Sequence, residues 1–537
     1  MSLAAILPPT SGGTPPFANV REAQEWLTLL PLINIRQSRL ELAEAFAQLN
    51  ESRIDALELL KILELLREAV QITELGLQPY YAGKPLPLLP DEAAHWQAAQ
   101  QLWEQIETAY ARCWRALVDG EAALAGHHAL IAERAMSYGS RVARGYLLVY
   151  RPVPQRVWQR LFERYQLAEA SGIAAEVVRD SLIDIHGKSM PQAMLIHALL
   201  LAASNTRHLS GKQLLWLDRR LEVFATRTSL ARHAPTPPGK TSLQIDLTAP
   251  GPALRMGQPL QGDGIREIDT LALAQTLMRR IKPLREGEQP QNIGLGTELA
   301  PRAAEMMLTD QYRHWCELPT GRLQLPRAKA RACPVALELA NLQRLIADGK
   351  LAPPPADPTQ LDRRDLERLQ LFGHVSAGTR PQAEPVSGVS EPWGLLHESA
   401  LDLLLARPAG SATRIGLQQL AGIALNSHYL VGTTRTLEDT GDQLEIGLRL
   451  LPGIPVAAMA RATDLARLGQ AKYSEILLLP EIPALKAPPS LILPVGWFRP
   501  SRLLDIWDGE TLRRVRLAQL VERGADYERV LYAPAGS

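Results

Sequence analysis

The sequence predicts a multidomain α+β fold. It has a helical, repeat-like N-terminal region, a small mixed α/β segment, and a C-terminal β-barrel with an additional β segment. Three observations predict this fold. The chain has 537 residues, more than the roughly 250–300 residues that one hydrophobic core usually holds. Residues 20 to about 228 have a helical pattern, and in Leu40–Val70 leucine and alanine recur at three- and four-residue steps, which is typical of helices. From Pro326 onward, short apolar or alternating runs are separated by Gly, Pro, Asn and Asp, which indicates strands.

The charge balance restricts the class of partner. The chain carries 58 basic and 57 acidic residues, for a net charge of +1, and 46% of its residues are hydrophobic. This composition excludes a basic nucleic-acid coat protein, an acidic tail protein and a chain that is disordered throughout. Any anion site must therefore be local and made by a few arginines, and no nucleic-acid partner is predicted.

The N-terminus and the apolar runs predict a cytoplasmic protein without membrane insertion. The first residues have no basic region before a long apolar run, as a signal peptide would. The apolar run Ala193–Ala203 is far shorter than the roughly 20 residues of a membrane-spanning helix. Cys113, Cys316 and Cys333 form no CxxC pair and no histidine stands at ligand spacing from them, so we expect free thiols in a reducing compartment and no metal site.

The N-terminal half is predicted to be helical. Residues 1–20 are rich in Pro, Gly and Ser and predict a flexible lead-in, and residues 21–233 predict a helical domain. Leu40–Val70 shows the helical spacing most clearly, although no fixed repeat period is present. Helical arrays usually offer an interaction surface, so we expect a protein partner to bind this region.

The C-terminal half is predicted to be mixed and then mainly β. Residues 242–320 predict a small α/β segment with one strand and two helices, and residues 326–465 predict the barrel. Residues 470–537 predict a further β-rich segment that closes with a short helix at Leu517–Glu522. The barrel strands are expected at Val335–Leu339, Trp393–Leu396, Leu403–Arg407, Gln418–Leu425, Tyr429–Thr434 and Gln443–Leu450.

Sequence templates for enzymes are absent. The chain has no GxGxxG after a strand, no GxxxxGK[ST], no GxSxG and no HExxH. Its acidic residues are scattered over helix faces rather than paired near a nucleophile. We therefore predict that the protein is not an enzyme and has no catalytic residues, although an enzyme of unrecognised type stays open as a third hypothesis.

The most informative charged element is an RxxxR pair directly before the first barrel strand. Arg327 and Arg331 stand four residues apart and precede the strand Val335–Leu339. Two neighbouring guanidinium groups can each bind a phosphate with two hydrogen bonds, or bind O6 and N7 of a guanine. The spacing alone also fits a solvated basic turn. A second RxxxR pair, Arg364 and Arg368, has acidic residues between its arginines and is expected in a surface loop.

Residues 393–402, WGLLHESALD, resemble the strand–turn–strand of a PilZ domain, the bacterial receptor module for cyclic di-GMP. The chain resembles a divergent member of that family with a long helical N-terminal region. The family pairs an RxxxR arm with [D/N]xSxxG on a six-stranded barrel, and the resemblance covers roughly residues 330–460. It implies that Arg327 and Arg331 bind phosphate and guanine and that Ser399 supports a phosphate. It implies no cofactor.

Two positions depart from the family pattern. His397 stands where the family has Asp or Asn, and Asp402 stands where it has Gly. A neutral histidine can still contact a guanine, whereas Asp402 adds a side chain and a negative charge near a dianionic ligand. Losing one charge-assisted contact costs about 1.5–3 kcal/mol. Asp402 would neutralise the site if it pointed towards the arginines.

Two functional hypotheses follow. The first is a non-catalytic cytoplasmic effector of PilZ type that binds cyclic di-GMP through Arg327, Arg331, His397, Ser399 and Asp402 and relays binding to a protein partner. The second is a degenerate PilZ-like scaffold that binds no nucleotide and acts as a protein-interaction adaptor. His397 and Asp402 favour the second, and the helical region suits both.

Overall fold

The structure is a computed structural model. It describes residues 14–182, 187–235, 238, 242–252, 260–317, 331–354, 390–410, 413–425, 428–463 and 473–535. The chain forms two compact units. The helical unit comprises Met1–Lys84 and Leu88–Leu323, and the barrel unit comprises Pro85–Pro87 and Gln324–Ser537. Helices followed by β-barrels confirm the predicted multidomain α+β fold.

The helical unit is built from amphipathic helices. Their bounds are α1 Val20–Leu29, α2 Ile35–Glu51, α3 Ala56–Leu77, α4 Pro90–Val118, α5 His128–Leu147, α6 Gln155–Ala170, α7 Pro191–Ala203, α8 Gly211–Ala225, α9 Thr270–Arg285 and α10 Pro301–Cys316. The side chains of Asn19 and Asp55 accept hydrogen bonds from backbone N–H groups at the starts of α1 and α3 and so cap them. Among the described residues, no helix is both long enough and apolar enough to cross a membrane.

Small sheets accompany these helices. Strands β1 (Val178–Arg179) and β2 (Lys188–Ser189) form a hairpin, and β3 (Leu230–Ala231), β4 (Leu243–Asp246) and β5 (Ile265–Ile268) form an antiparallel sheet in the order β3–β5–β4. Leu230 pairs with Ile268, so this sheet includes residues that precede the predicted start of the α/β segment at residue 242. Both sheets belong to the helical unit.

The first barrel closes with six antiparallel strands among the described residues, in the order β10–β11–β8–β7–β6–β9. The strands are β6 Arg331–Leu337, β7 Glu391–Glu398, β8 Asp402–Pro408, β9 Leu420–Leu425, β10 His428–Asp439 and β11 Gln443–Leu450. Alternate side chains such as Val335, Leu405 and Ile446 are buried, which fits a packed interior. Helix α11 (Leu339–Ile346) follows β6 and packs its apolar face on the outside.

The predicted end of this barrel at residue 465 is wrong by one strand. Strand β12 (Val456–Ala462) pairs with β13 (Ser474–Leu479) and β15 (Leu503–Trp507) and belongs to a second closed barrel. The physical reason is that β9 and β10 pair with each other and close the first barrel, so it offers no free edge to a further strand.

The predicted helix Leu517–Glu522 is also wrong. These residues lie in β16 (Leu512–Arg523), which pairs with β15 and with β17 (Glu528–Pro534), while β14 (Ser490–Leu493) joins β13 to β17. The register between β16 and β17 shifts between Leu517 and Gln519 and between Leu520 and Glu522. Such bulges interrupt the two-residue alternation, and they leave apolar residues at a three-residue spacing that imitates a helix.

The two barrels of the barrel unit share an apolar layer. It contains Leu342 of α11, Leu420 and Val431 of the first barrel, and Leu477 and Tyr527 of the second. The turn before β17 adds polar contacts: the Asp526 carboxylate accepts from the Leu420 backbone N–H at 2.9 Å, and the Tyr527 and Thr433 hydroxyls share a hydrogen bond. Burial raises the pKa of Asp526 to about 6.

Candidate functional site

The candidate residues collect at one rim of the first barrel. Neighbouring strands are antiparallel, so the start of β6, the end of β7, the start of β8 and the end of β11 lie at the same end of the barrel. Arg331 begins β6, Glu398 ends β7 and Asp402 begins β8. Two parts of the sequence that are about 70 residues apart (331 and 398–402) therefore meet at this rim.

Ser399 holds the turn between β7 and β8 together. Its backbone N–H donates to the Asp402 carbonyl at 2.9 Å, its hydroxyl donates to the same carbonyl at 3.0 Å, and its hydroxyl oxygen accepts from the Asp402 N–H at 3.0 Å. This is a serine-stabilised turn. The side chain is exposed, so the same oxygen also faces solvent.

Arg331 pairs with a carboxylate that the sequence reasoning did not weigh. Its Nη2 lies 3.4 Å from Glu398 Oε2, and the two side chains are 51% and 48% exposed. Arg327, the other arginine of the RxxxR pair, lies outside the described residues. An ion pair this exposed contributes little stability, so Arg331 can exchange Glu398 for another anion.

Asp402 pairs with Arg449 rather than with Arg331. The two residues face each other across β8 and β11, and Arg449 Nη1 lies 3.3 Å from both carboxylate oxygens. The side chains of Arg449 and Asp402 are 41% and 32% exposed. The negative charge of Asp402 is therefore compensated at the rim by Arg449.

His397 lies on a β-bulge of β7. Leu395 pairs with Leu405 and His397 with Leu404, so one extra residue stands on β7 between them. Bulges turn a side chain away from its regular direction. The imidazole is partly buried, and its buried Nε2 has no hydrogen-bond partner among the described residues.

The rim contains two functional candidates that sequence reasoning missed, Glu398 and Arg449. Alternation in residues 443–450 predicts that Arg449 and Leu448 point to opposite faces of β11. That pattern cannot show which residue of another strand Arg449 meets, because this depends on β8 and β11 being neighbours. No cluster of three or more His, Cys, Asp or Glu side chains in the described ranges is placed to hold a metal ion.

Comparison with known proteins identifies the family. A family model described as the N-terminal domain of the cyclic-di-GMP receptor FimW matches residues 21–236. A model described as the FimW C-terminal β-barrel domain matches residues 459–535. Together they match more than half of the chain, and they flank the first barrel.

Individual relatives are more distant. The cyclic-di-GMP receptor FimW of Pseudomonas aeruginosa strain PAO1 is 25% identical over 239 residues, which cover 42% of this chain and 37% of that protein. A solved structure of MrkH, titled a c-di-GMP-dependent transcription regulatory factor, aligns at 8% identity over 40% of this chain and 89% of that one. Its TM-score of 0.12 is too low to indicate a shared fold.

The matches on both sides of the first barrel agree with the motif resemblance inside it. The chain therefore belongs to the PilZ-type receptor family that FimW represents.

Proposed function

We propose that this protein is a non-catalytic cytoplasmic effector that binds cyclic di-GMP at the rim of its first barrel and relays binding to a protein partner through its helical region. The observation that carries the proposal is the meeting of Arg331 with the turn 398–402, which joins the two halves of the motif at one place. The family match supports the choice of ligand, since FimW is described as a cyclic-di-GMP receptor.

The proposed contacts follow from the chemistry of the ligand, which has two phosphates and two guanines. Arg327 and Arg331 bind phosphate oxygens and the O6 and N7 acceptors of a guanine. His397 contributes a hydrogen bond to guanine once its imidazole turns outward, because its Nε2 is buried and has no partner among the described residues. Ser399 supports a phosphate with its exposed hydroxyl, and it also keeps the turn in shape.

Calorimetric titration with cyclic di-GMP tests this proposal. Arg327→Ala/Arg331→Ala is expected to weaken binding by at least about a hundredfold, since each charge-assisted contact contributes about 1.5–3 kcal/mol. Arg364→Ala/Arg368→Ala is the matched control, because it removes the same charge from the same RxxxR spacing, and it should bind like wild type. Binding that survives the first double substitution would contradict the proposed site.

The alternative is a PilZ-like scaffold that binds no nucleotide. Two observations favour it: Arg331 forms an ion pair with Glu398, and the Ser399 hydroxyl forms hydrogen bonds with the Asp402 backbone of its own turn. If wild type shows no heat of binding at about 100 μM cyclic di-GMP, where even a weakened site binds, the scaffold is the better description.

A further inference from the structure

Arg449 presents an open edge of its guanidinium group at the same rim. It contacts Asp402 through Nη1 alone. Within the described part of the chain, no hydrogen bond uses its Nε or Nη2. A guanidinium has five N–H donors in a fixed fork, and two of its edges can each bind an oxyanion with a pair of hydrogen bonds. Arg449 can therefore hold Asp402 and a second anion together.

The register places this arginine beside the turn. Arg449 faces Asp402 of β8 on one side and Thr433 of β10 on the other. Thr433 is fully buried under Tyr527 of the second barrel, whereas the Arg449 side chain is 41% exposed. Arg449 is therefore held between a packed contact and the turn, with its free edge accessible from solvent.

We propose that Arg449 is a third anion-binding residue of this site, which binds a phosphate of the ligand through Nε and Nη2 while Nη1 stays on Asp402. The inference rests on the proposed function and extends it. It also assigns a role to Asp402, which replaces the family's glycine: Asp402 orients Arg449 and has its own charge compensated in return. Arg449 thus offsets the charge of the added carboxylate, so that Asp402 does not neutralise Arg331.

A double-substitution cycle separates direct binding from mere charge compensation. Arg449→Ala is expected to weaken cyclic di-GMP binding by about ten- to a hundredfold. If Arg449 only compensated Asp402, adding Arg449→Ala to Asp402→Asn would change nothing, since no carboxylate charge remains to compensate. If Arg449 binds phosphate, the double variant still binds at least about tenfold more weakly than Asp402→Asn alone.

Arg219→Ala is the matched control. Arg219 lies 3.3 Å from Glu298, with side chains 44% and 30% exposed, nearly the same distance and exposure as the Arg449–Asp402 pair. It lies in the helical unit, and its loss should leave affinity unchanged. Arg449→Lys keeps the charge but not the planar fork, so it should recover only part of the affinity. Far-UV circular dichroism checks that each variant folds.

The outcomes distinguish this inference from the function on which it rests. Wild-type binding with an unaffected Arg449→Ala variant would overturn the role of Arg449 alone. An unchanged affinity on going from Asp402→Asn to the double variant would do the same, because it would reduce Arg449 to a compensating charge. Wild type that fails to bind at about 100 μM would overturn both proposals. A weaker dependence of affinity on salt in Arg449→Ala would support direct phosphate contact.

Discussion

Arg134→Met is expected to lower the free energy of unfolding of the helical unit by about 3–5 kcal/mol. Arg134 lies on α5, and its side chain is only 2% exposed. It contacts three carboxylates: Glu133 at 2.5 Å, Glu64 at 2.9 Å and Asp180 at 2.9 Å. Burial alone would lower the pKa of Arg134, but the charges of Glu133 and Glu64 raise it overall, so the side chain stays charged.

The expected loss comes mainly from Glu133. This carboxylate is fully buried. Within the described residues, its Oε2 accepts a hydrogen bond from Arg134 and its Oε1 has no partner. Asp180 keeps Arg67 at 2.7 Å when Arg134 is removed, but Glu133 keeps no cation in contact among the residues that the structure describes. A buried carboxylate without its cation costs several kcal/mol, whereas methionine fills the volume of the arginine.

Hydrogen–deuterium exchange of α5 peptides under increasing urea measures this loss for the helical unit separately. Arg313→Met is the control, because Arg313 pairs with Asp310 at 3.5 Å with side chains 66% and 56% exposed, so about 0–1 kcal/mol is expected. Arg134→Met/Glu133→Gln should recover part of the stability. If it recovers none, or if Arg134→Met costs no more than the control, the buried charge is not the cause.

The sequence predicts those parts of the fold that local pattern determines. The helices and most strands follow from spacing, and the RxxxR and HESALD segments indicate where the site lies. The sequence predicts a further β segment but not a second closed barrel, because closure depends on which strands lie next to each other. In addition, the bulges in β16 interrupt the alternation of its apolar residues. Pairing between strands that are far apart in sequence cannot be read from either strand alone.

The same limit applies to the site. Arg331, His397, Ser399 and Asp402 could be named from a motif, but their present partners could not. The motif leaves open whether Asp402 meets the RxxxR arginine, and the register between β8 and β11 gives it Arg449 instead. Glu398 was present in the motif, yet its contact with Arg331 requires β6 and β7 to be neighbours.

Opposite pH dependences are expected for variants of His197 and Glu222, two residues of the helical unit whose pKa values are shifted in opposite directions. His197 is fully buried and lies 3.0 Å from Asp218, which also contacts Arg144 at 2.6 Å. Burial and the charge of Arg144 lower the pKa of His197 to about 4 from an ordinary value near 6.5. Burial raises the pKa of Glu222 to about 7 from 4.5.

The signs follow from which state binds the proton. Between pH 6.5 and 4 the unfolded chain protonates His197 while the folded chain does not, so the contribution of His197 to stability is lost as the pH falls. Between pH 4.5 and 7 the folded chain holds a proton on Glu222 that the unfolded chain has released, so its contribution is lost as the pH rises. The two contributions oppose each other between pH 4.5 and 6.5.

Each variant removes one of the two pH dependences of stability and leaves the other in place. The stability of Glu222→Gln relative to wild type is expected to rise by about 2–3 kcal/mol from pH 4.5 to 7, because one pKa unit corresponds to about 1.4 kcal/mol. The stability of His197→Gln relative to wild type should fall by a similar amount from pH 4 to 6.5. Urea unfolding monitored by hydrogen exchange of α7 and α8 peptides at several pH values measures both. If the stability of both variants relative to wild type changed with pH in the same direction, the prediction would be wrong. Only groups whose pKa values shift in opposite directions on folding give pH dependences of opposite sign.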